Sequence, residues 1–358
     1  MPQIDALFEA LISAGGSDLH LGIGYPPTMR LRGELVGMRP TPVDAAEMGA
    51  LLFEIVSPGQ KTTIVEQNDL DFAHAYGDKA RFRANYFYKV TGLAAVFRTI
   101  PTRVLTLEEL GCPTSIRKLA ERRSGLVLVT GPTGSGKSTT LAAMIDHINK
   151  TRACHVLTIE DPVEFVHNPQ RAHITHREIG THAATYAHAI RSAGREDPDV
   201  ILIGELRTNE TMKLALQLAS FGILVIATVH TNSAAATIDR IGNAFPADEQ
   251  PQVRGMLCEG LAGIVAQQLV RTADGKRRLA VHEILVGSPA LASMIRENKT
   301  FQIPSLMQAG QSQGMQTMDM ALERLVRAKQ ITAETALEKA IDKESFAKLL
   351  KQNDMAPL

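Results

Sequence analysis

The sequence lacks an excess of charge of either sign, a cysteine framework and a long hydrophobic run. Its 358 residues include 38 Lys and Arg against 38 Asp and Glu, so bulk charge does not attract it to nucleic acid or to a membrane. The three cysteines, Cys112, Cys154 and Cys258, form no CxxC pair, which argues against disulfides or zinc and favours a reducing compartment. The longest nearly apolar run, residues 219–229, is far shorter than the ~20 residues of a membrane-spanning helix.

A secretory signal is also missing from the pattern of the first residues. Residues 1–10 contain no basic stretch followed by an apolar run, which predicts no signal peptide. We therefore expect a cytoplasmic protein without direct membrane insertion, which reaches a membrane only through a partner. The apolar content of 44% excludes a disordered chain, and at roughly 100–200 residues per domain the length predicts two or three domains.

Residues 1–100 have the pattern of a small α/β domain. Helical spacing over residues 4–13 precedes short strand-like runs separated by Gly and Pro, at 18–21, 28–31, 70–73, 80–88 and 93–100. Alternation over residues 81–86 places two arginines and an asparagine on one face of a strand. Residues 101–115, with two prolines, a glycine and an acidic pair, are predicted to be an interdomain linker.

Residues 116–290 have the pattern of a parallel α/β domain. Four aliphatic runs are typical of strands buried on both faces, at 126–129, 155–159, 200–203 and 223–229. Each run ends at a polar residue or glycine, and ligands bind at the carboxyl ends of such strands, so the pattern predicts one shared site. Residues 291–358 are predicted to be a helical C-terminal region, in which Thr332 is a plausible N-cap.

Residues 131–138 match the phosphate-loop pattern G-x-x-x-x-G-K-[ST] in full, between a predicted strand and a predicted helix. Glycines let backbone N–H groups close around phosphate oxygens, Lys137 supplies a charge to the β- and γ-phosphates, and Ser138 offers its hydroxyl to Mg²⁺. The motif predicts an ATPase that uses ATP and Mg²⁺. The predicted nucleotide-binding residues of the loop are Gly131, Pro132, Thr133, Gly134, Ser135, Gly136, Lys137, Ser138 and Thr139.

Two acidic clusters at strand ends could complete this site. Residues 160–164 contain three carboxylates, and residues 197–205 end in Glu205, where a Walker B carboxylate belongs, although that residue is usually Asp. Either cluster could instead be solvated loop. His230, at the end of the fourth aliphatic run, could sense the γ-phosphate or be a buried, hydrogen-bonded histidine.

The sequence alone does not decide the roles of two sets of basic residues, a group of arginines and a group of histidines. Phosphoryl transfer favours an arginine on the developing charge, and the candidates are Arg81, Arg83, Arg98, Arg191, Arg195 and Arg207. Five histidines invite a metal hypothesis, but their spacing fits no zinc pattern; they are His167, His173, His176, His182 and His188.

Together these strings resemble the PilT family of type IV pilus retraction ATPases, within the secretion ATPase superfamily. The similar segments cover nearly the whole chain, at residues 15–21, 81–85, 95–101, 158–165, 195–205 and 230–235. The resemblance implies a PAS-like N-terminal α/β domain and a RecA-like P-loop ATPase domain with a parallel sheet, assembled as a ring-shaped homo-hexamer. It also implies ATP-driven domain rotation that acts on an inner-membrane platform protein and depolymerises the pilus.

The same resemblance implies roles for individual residues. Glu164 would be the general base, Glu205 would support Mg²⁺ and water, and His230 would report the nucleotide state. Among the arginines, Arg98 is assigned to nucleotide binding, and Arg195 and Arg207 to catalysis. The protein would then lie at the inner membrane peripherally, with the platform protein and a PilT-family paralogue as candidate partners.

Three segments depart from the family pattern. Residues 204–208 are Gly-Glu-Leu-Arg-Thr instead of Gly-Glu-Met-Arg-Asp, residues 220–223 replace a Thr-Gly-His string, and residues 290–292 are Ala-Leu-Ala instead of Ala-Ile-Arg. None removes a residue needed for ATP hydrolysis, but the last leaves open an accessory PilT paralogue or a related type II/IV secretion ATPase. A nucleic-acid motor is disfavoured by neutral charge, and a non-hydrolysing scaffold by the presence of Lys137 and Glu164.

Overall fold

The computed structural model describes residues 2–100 and 103–352. Contacts divide the chain into two compact units, the first containing residues 1–103 and 161–166 and the second containing residues 104–160 and 167–358. The domain boundaries predicted at residues 100, 115 and 290 stay predictions. Residues 101–102 of the predicted linker and residues 353–358 of the predicted C-terminal region lie outside the described residues.

The first unit contains one antiparallel six-stranded sheet with strand order β3-β2-β1-β6-β5-β4. Its elements are α1 (Asp5–Ala14), β1 (Asp18–Gly22), β2 (Thr28–Leu31), β3 (Glu34–Gly37), α2 (Ala45–Phe53), α3 (Pro58–Gln67), β4 (Asp69–Tyr76), β5 (Ala80–Lys89) and β6 (Gly92–Ile100). The predicted strands of this region are confirmed.

The predicted alternation in β5 is also confirmed, because Phe82 and Tyr86 are buried while Arg81 and Arg83 are half-exposed. Phe8 of α1 stacks on Phe82 with ring centroids 4.3 Å apart, and these rings centre the core of the unit. Three elements were not predicted: β3, α2 and α3. All four residues of β3 are exposed, so this edge strand carries no burial pattern that a sequence could reveal.

The second unit contains a seven-stranded sheet with order β13-β12-β7-β11-β10-β8-β9, in which only β13 is antiparallel to its neighbour. Its strands are β7 (Gly125–Thr130), β8 (His155–Glu160), β9 (His173–Glu178), β10 (Val200–Ile203), β11 (Leu224–Val229), β12 (Leu261–Arg271) and β13 (Arg278–Val286). The four predicted strands, β7, β8, β10 and β11, are confirmed and lie next to one another. The sheet edges, β9, β12 and β13, were not predicted.

Helices cover both faces of this sheet, and each face has its own apolar core. The helices are α4 (Thr114–Ala120), α5 (Lys137–Thr151), α6 (Tyr186–Ala193), α7 (Asn209–Ser220), α8 (Ala234–Asn243), α9 (Gln250–Gly260), α10 (Pro289–Arg296), α11 (Ile303–Ala309), α12 (Met318–Arg327), α13 (Ala333–Lys339) and α14 (Lys343–Gln352). Across residues 2–100 and 103–352, no helix combines the length and apolar character needed to cross a bilayer.

The C-terminal helices form a further apolar cluster against the end of the β12–β13 pair. Met318 and Leu322 of α12 are fully buried beside Val270 and Val281, which confirms the predicted helical spacing. Thr332 caps α13 by accepting the Thr335 N–H, as predicted. The stretch predicted as a linker contributes Leu107 to the core of the second unit, because its leucines pack under the sheet.

Candidate nucleotide site

The phosphate loop joins the end of β7 to the start of α5, and its backbone requires glycine. Gly131, Gly134 and Gly136 have φ angles of +148°, +76° and +86°, a region that other residues rarely adopt. A Cβ atom on Gly131 would lie 2.3 Å from the carbonyl oxygen of Gln267, and one on Gly136 would lie 2.9 Å from Gln267 Nε2. The loop therefore fits closely against β12, and glycine is needed at both points.

Lys137 begins α5, and its ammonium group folds back onto the loop. Nζ donates hydrogen bonds to the carbonyl oxygens of Gly131 at 2.9 Å and Pro132 at 3.0 Å. The side chain is buried, whereas Ser138 one residue later is exposed. Within the described residues, the buried Ser135 hydroxyl has no hydrogen-bond partner. The loop therefore combines three groups that suit phosphate binding: the Lys137 ammonium, the N-terminus of α5 and the unpaired Ser135 hydroxyl.

Glu205 and His230 meet at the same edge of the sheet. Glu205 follows β10, and its Oε1 lies 3.3 Å from His230 Nε2, which follows β11. The same oxygen accepts a hydrogen bond from Arg207 Nε at 2.6 Å. The His230 carbonyl in turn accepts from Arg240 at 3.1 Å. The structure thus brings together three predicted residues, Glu205, Arg207 and His230, at the carboxyl ends of parallel strands.

A chain of threonine hydroxyls connects this histidine segment to the strand that precedes the phosphate loop. Thr130, the last residue of β7, has its Oγ1 2.6 Å from Thr231 Oγ1 and accepts the Thr231 N–H at 2.9 Å. Thr231 Oγ1 lies 2.6 Å from Thr237 Oγ1 in α8. These threonine contacts were not predicted from the sequence. The signal available was a threonine at the end of an aliphatic strand, because a buried hydroxyl needs a hydrogen-bond partner.

Arg195 does not lie beside Glu205 and His230 at the carboxyl ends of the strands of its own subunit. It is exposed and precedes β10, whereas Glu205 follows β10, so the strand separates the two. The neighbouring Asp199 carboxylate accepts the N–H of His155, the first residue of β8, which marks this as the amino end of the strands. Arg191, another candidate, forms an ion pair with Glu210.

Glu164 and Arg98 are grouped with the first unit. Glu164 Oε1 lies 3.7 Å from Arg83 Nη1, and Arg83 also pairs with Asp71 at 2.5 Å. Arg81 Nε donates to the carbonyl oxygen of Val163 at 3.0 Å. Arg98 Nε donates to Asp18 Oδ1 at 2.9 Å, and its side chain is 71% exposed. The catalytic role of Glu164 and the nucleotide-binding role of Arg98 stay predictions.

The histidines between residues 167 and 188 make hydrogen bonds and ring contacts. His176 Nδ1 lies 2.8 Å from Thr158 Oγ1, and its Nε2 accepts the backbone N–H of His167 at 3.2 Å. His182 Nδ1 accepts the N–H of Glu178 at 3.0 Å. In the part of the chain that the structure describes, no three His, Cys, Asp or Glu side chains group together as a metal site would require.

Two buried histidines make the folded state sensitive to acid. Burial lowers the pKa of His167 and of His282 to about 4, whereas an unfolded chain has a histidine pKa near 6.5. Between these values the unfolded chain binds protons that the folded chain does not, so stability falls as the pH falls. From pH 6.5 to pH 5, each histidine should lower the free energy of unfolding by about 1.5 kcal/mol, measurable by urea unfolding.

The matched variant for this effect is His282→Leu, which removes one titrating group and keeps an apolar side chain of similar size. Acidification from pH 6.5 to pH 5 should then destabilise the variant less than the wild type, and the difference should equal the contribution of one histidine. Burial also raises the pKa of Glu283, but this residue is present in both proteins, so its contribution cancels in the comparison. An unchanged loss of stability in the variant would contradict the prediction.

The fold and the phosphate loop define a P-loop protein. The chain belongs to the type II/IV secretion system protein family, whose model matches residues 69–341. It is 47% identical over 344 residues to the type IV pilus retraction ATPase PilT of Pseudomonas aeruginosa, covering 96% of this chain and 100% of that protein. It is 48% identical over 321 residues to a twitching motility protein of Neisseria gonorrhoeae, covering 90% of this chain and 86% of that protein.

The solved structures agree with the sequence relatives. The crystal structure of the pilus retraction motor PilT with bound ADP superposes with a TM-score of 0.88 and 40% identity, covering 96% of this chain and 98% of that one. The predicted PilT-like fold class is thereby confirmed, with an antiparallel α/β unit, a mainly parallel P-loop unit and a helical C-terminal region.

Proposed function

We propose that this protein is an ATP-hydrolysing motor that powers type IV pilus retraction. The observation that carries the proposal is the complete phosphate loop with Glu205 and His230 beside it, in a chain that is 47% identical to a pilus retraction ATPase over 96% of its length. The motor would work as a homo-hexamer in the cytoplasm and act on an inner-membrane platform protein, as the resemblance implies.

In this proposal the loop binds the phosphates of ATP. Backbone N–H groups of residues 131–138 and the N-terminus of α5 would contact the phosphate oxygens. Lys137 would exchange the carbonyl oxygens of Gly131 and Pro132 for the β- and γ-phosphates, because a phosphate oxygen is the stronger acceptor. Mg²⁺, held by the exposed hydroxyl of Ser138, would neutralise charge on the phosphates when bound.

Hydrolysis requires a base and an orienting carboxylate. A water oxygen would attack the γ-phosphorus, the bond to the oxygen bridging to the β-phosphate would break, and Glu164 would take the water's proton, giving ADP and phosphate. Glu205 would hold water at the metal, and Arg207 and His230 fix the position of its carboxylate. Because Arg195 lies at the opposite end of β10, its catalytic role would be exerted on the site of another subunit.

A second candidate function, an accessory paralogue, is favoured by residues 290–292. They lie in the first turn of α10, which Ser288 caps. Leu291 is buried and Ala292 is half-buried, with the Ala292 carbonyl accepting the Cys258 thiol at 3.1 Å. An arginine at position 292 would provide a charged fork for a partner carboxylate, which alanine cannot provide.

One experiment separates the two functions. The wild-type chain and a Leu291→Ile, Ala292→Arg double variant are compared for phosphate release in vitro and for twitching in a strain that lacks its own retraction motor. A retraction motor should hydrolyse ATP and restore twitching without modification. For an accessory paralogue we expect equal hydrolysis by both chains, with twitching only in the double variant. No phosphate release by either chain, in oligomeric form and with Mg²⁺, would contradict both.

A further inference from the structure

Gln267 in β12 is a buried polar residue whose side-chain amide hydrogen-bonds to the phosphate loop and to the helix that follows it. It is 2% exposed and lies in a strand that is otherwise mainly aliphatic. Its Nε2 donates to the carbonyl oxygen of Ser135 at 2.7 Å, and its Oε1 accepts from the Thr140 hydroxyl at 2.7 Å. Both ends of one amide therefore bind the segment that carries the phosphate-binding groups.

The first of these hydrogen bonds fixes the orientation of a peptide group. The Ser135 carbonyl and the Gly136 N–H belong to one planar trans peptide, so they point in opposite directions. When Gln267 holds the carbonyl towards β12, the Gly136 N–H points to the other side of the loop. Glycine at 136 has φ +86° and leaves this peptide free to rotate unless an outside group holds it.

The second hydrogen bond ties the same amide to the first turn of α5. Thr140 is buried, and its hydroxyl has Gln267 as its partner across 127 positions of the chain. The backbone of Gln267 also packs against the start of the loop. A Cβ atom on Gly131 would lie 2.3 Å from the carbonyl oxygen of Gln267, so only glycine fits there. One residue of β12 thus contacts the start, the middle and the following helix of the loop.

We propose that Gln267 is a positioning residue for phosphate binding, which aims the Gly136 N–H at the phosphates of a bound nucleotide. The inference rests on the proposed function in that the ligand is a nucleoside di- or triphosphate. An N–H that contacts phosphate before and during the reaction contributes uniform binding, so its loss should raise Kd and KM with little change in kcat.

The test is Gln267→Met, which keeps the length of the side chain and removes both hydrogen bonds. ADP affinity is measured by calorimetry, and KM and kcat are measured for ATP. We expect ADP binding about 10-fold weaker and KM for ATP raised by about the same factor, with kcat within about 3-fold. The reason is that the released peptide must turn the Ser135 carbonyl back to an unpaired position before the Gly136 N–H can contact phosphate. Thr140→Val, which removes only the bond to the helix, should weaken ADP binding by about 3-fold or less.

The matched control is Gln268→Met, the same change one residue along the strand. Gln268 Nε2 faces the C-terminal helices and lies 3.4 Å from the carbonyl oxygen of Lys339, so ADP affinity should stay within about 2-fold of wild type. If Gln267→Met does not fold, Gln267→Asn gives a second variant, whose shorter amide cannot reach Ser135, and the same loss of ADP affinity is expected.

The outcomes separate the inference from the proposed function. A wild-type chain that binds no ADP contradicts the proposed function. A wild-type chain that binds ADP, with a folded Gln267→Met or Gln267→Asn variant of equal affinity, overturns the role of Gln267. A Thr140→Val variant that loses as much affinity as Gln267→Met also overturns it, because the effect would then come from anchoring the helix rather than from aiming the Gly136 N–H.

Discussion

Alanine in place of Lys137 is expected to abolish ATP hydrolysis, with kcat/KM lowered by about 10³-fold or more. The substitution deletes the only ammonium group of the phosphate loop motif, and one preorganised donor on developing charge is typically worth about 10²–10³ in rate. It also removes the hydrogen bonds from Nζ to the carbonyl oxygens of Gly131 and Pro132, which hold the start of the loop. Phosphate release measured over a range of ATP concentrations, with Mg²⁺ present, gives kcat/KM.

The matched control is Lys150→Ala, in the last turn of the same helix. Lys150 pairs with Asp146 at 2.7 Å, and its side chain is 44% exposed and lies at the far end of the helix from the loop, so its loss should leave hydrolysis near the wild-type rate. Both variants are compared by circular dichroism to establish that they fold. Turnover by Lys137→Ala within a few-fold of wild type would contradict the assignment of residues 131–138 as a phosphate loop.

The phosphate loop was predictable because its information is local. Every residue of the motif lies within one stretch of eight, and the strand before it and the helix after it have clear periodicities. The strands β7, β8, β10 and β11 were predictable for a related reason. A central strand of a parallel sheet is buried on both faces, so its residues are nearly all aliphatic.

The residues that support the loop from other elements were not predictable, because they contact partners that are far away in sequence. Gln267 contacts Ser135 across 132 positions, and no local pattern joins the two. Glu283 in β13 is similar: its buried carboxylate accepts the N–H of Ala234 at 2.7 Å and of Met318 at 3.3 Å, at the first residues of α8 and α12. Polar residues inside aliphatic strands do signal that partners exist, but they do not identify those partners.

Strand direction explains the different outcomes for Arg195 and Glu205. The two residues belong to one continuous string that resembles the family, and proximity in sequence suggested a common site. The string contains β10, however, and a strand of four residues spans roughly 13 Å, so residues before and after it lie at opposite edges of the sheet. The Glu205–His230 contact, in contrast, joins the carboxyl ends of two neighbouring parallel strands, which is where the sequence predicted a shared site.

Glutamine in place of Glu164 is expected to leave ATP bound while turnover falls by about 10²–10³-fold. The amide has nearly the shape of the carboxylate but cannot accept a proton from water, and a general base contributes about 10²–10⁴ in rate. The change should not unfold the first unit, because Arg83, which lies 3.7 Å from Glu164, keeps its shorter ion pair with Asp71. Single-turnover phosphate release measures the rate, and calorimetry with a slowly hydrolysed ATP analogue measures binding.

The comparison that decides the assignment is Glu160→Gln, in the same acidic cluster. Glu160 ends β8 in the second unit, whereas Glu164 is grouped with the first, so the two carboxylates occupy different surroundings despite their closeness in sequence. If Glu164 is the base, Glu160→Gln should retain most of the turnover and Glu164→Gln almost none. Normal hydrolysis by Glu164→Gln together with its loss in Glu160→Gln would transfer the role to Glu160. Loss of ATP binding in Glu164→Gln would instead mean that the carboxylate orders the site rather than accepting the proton.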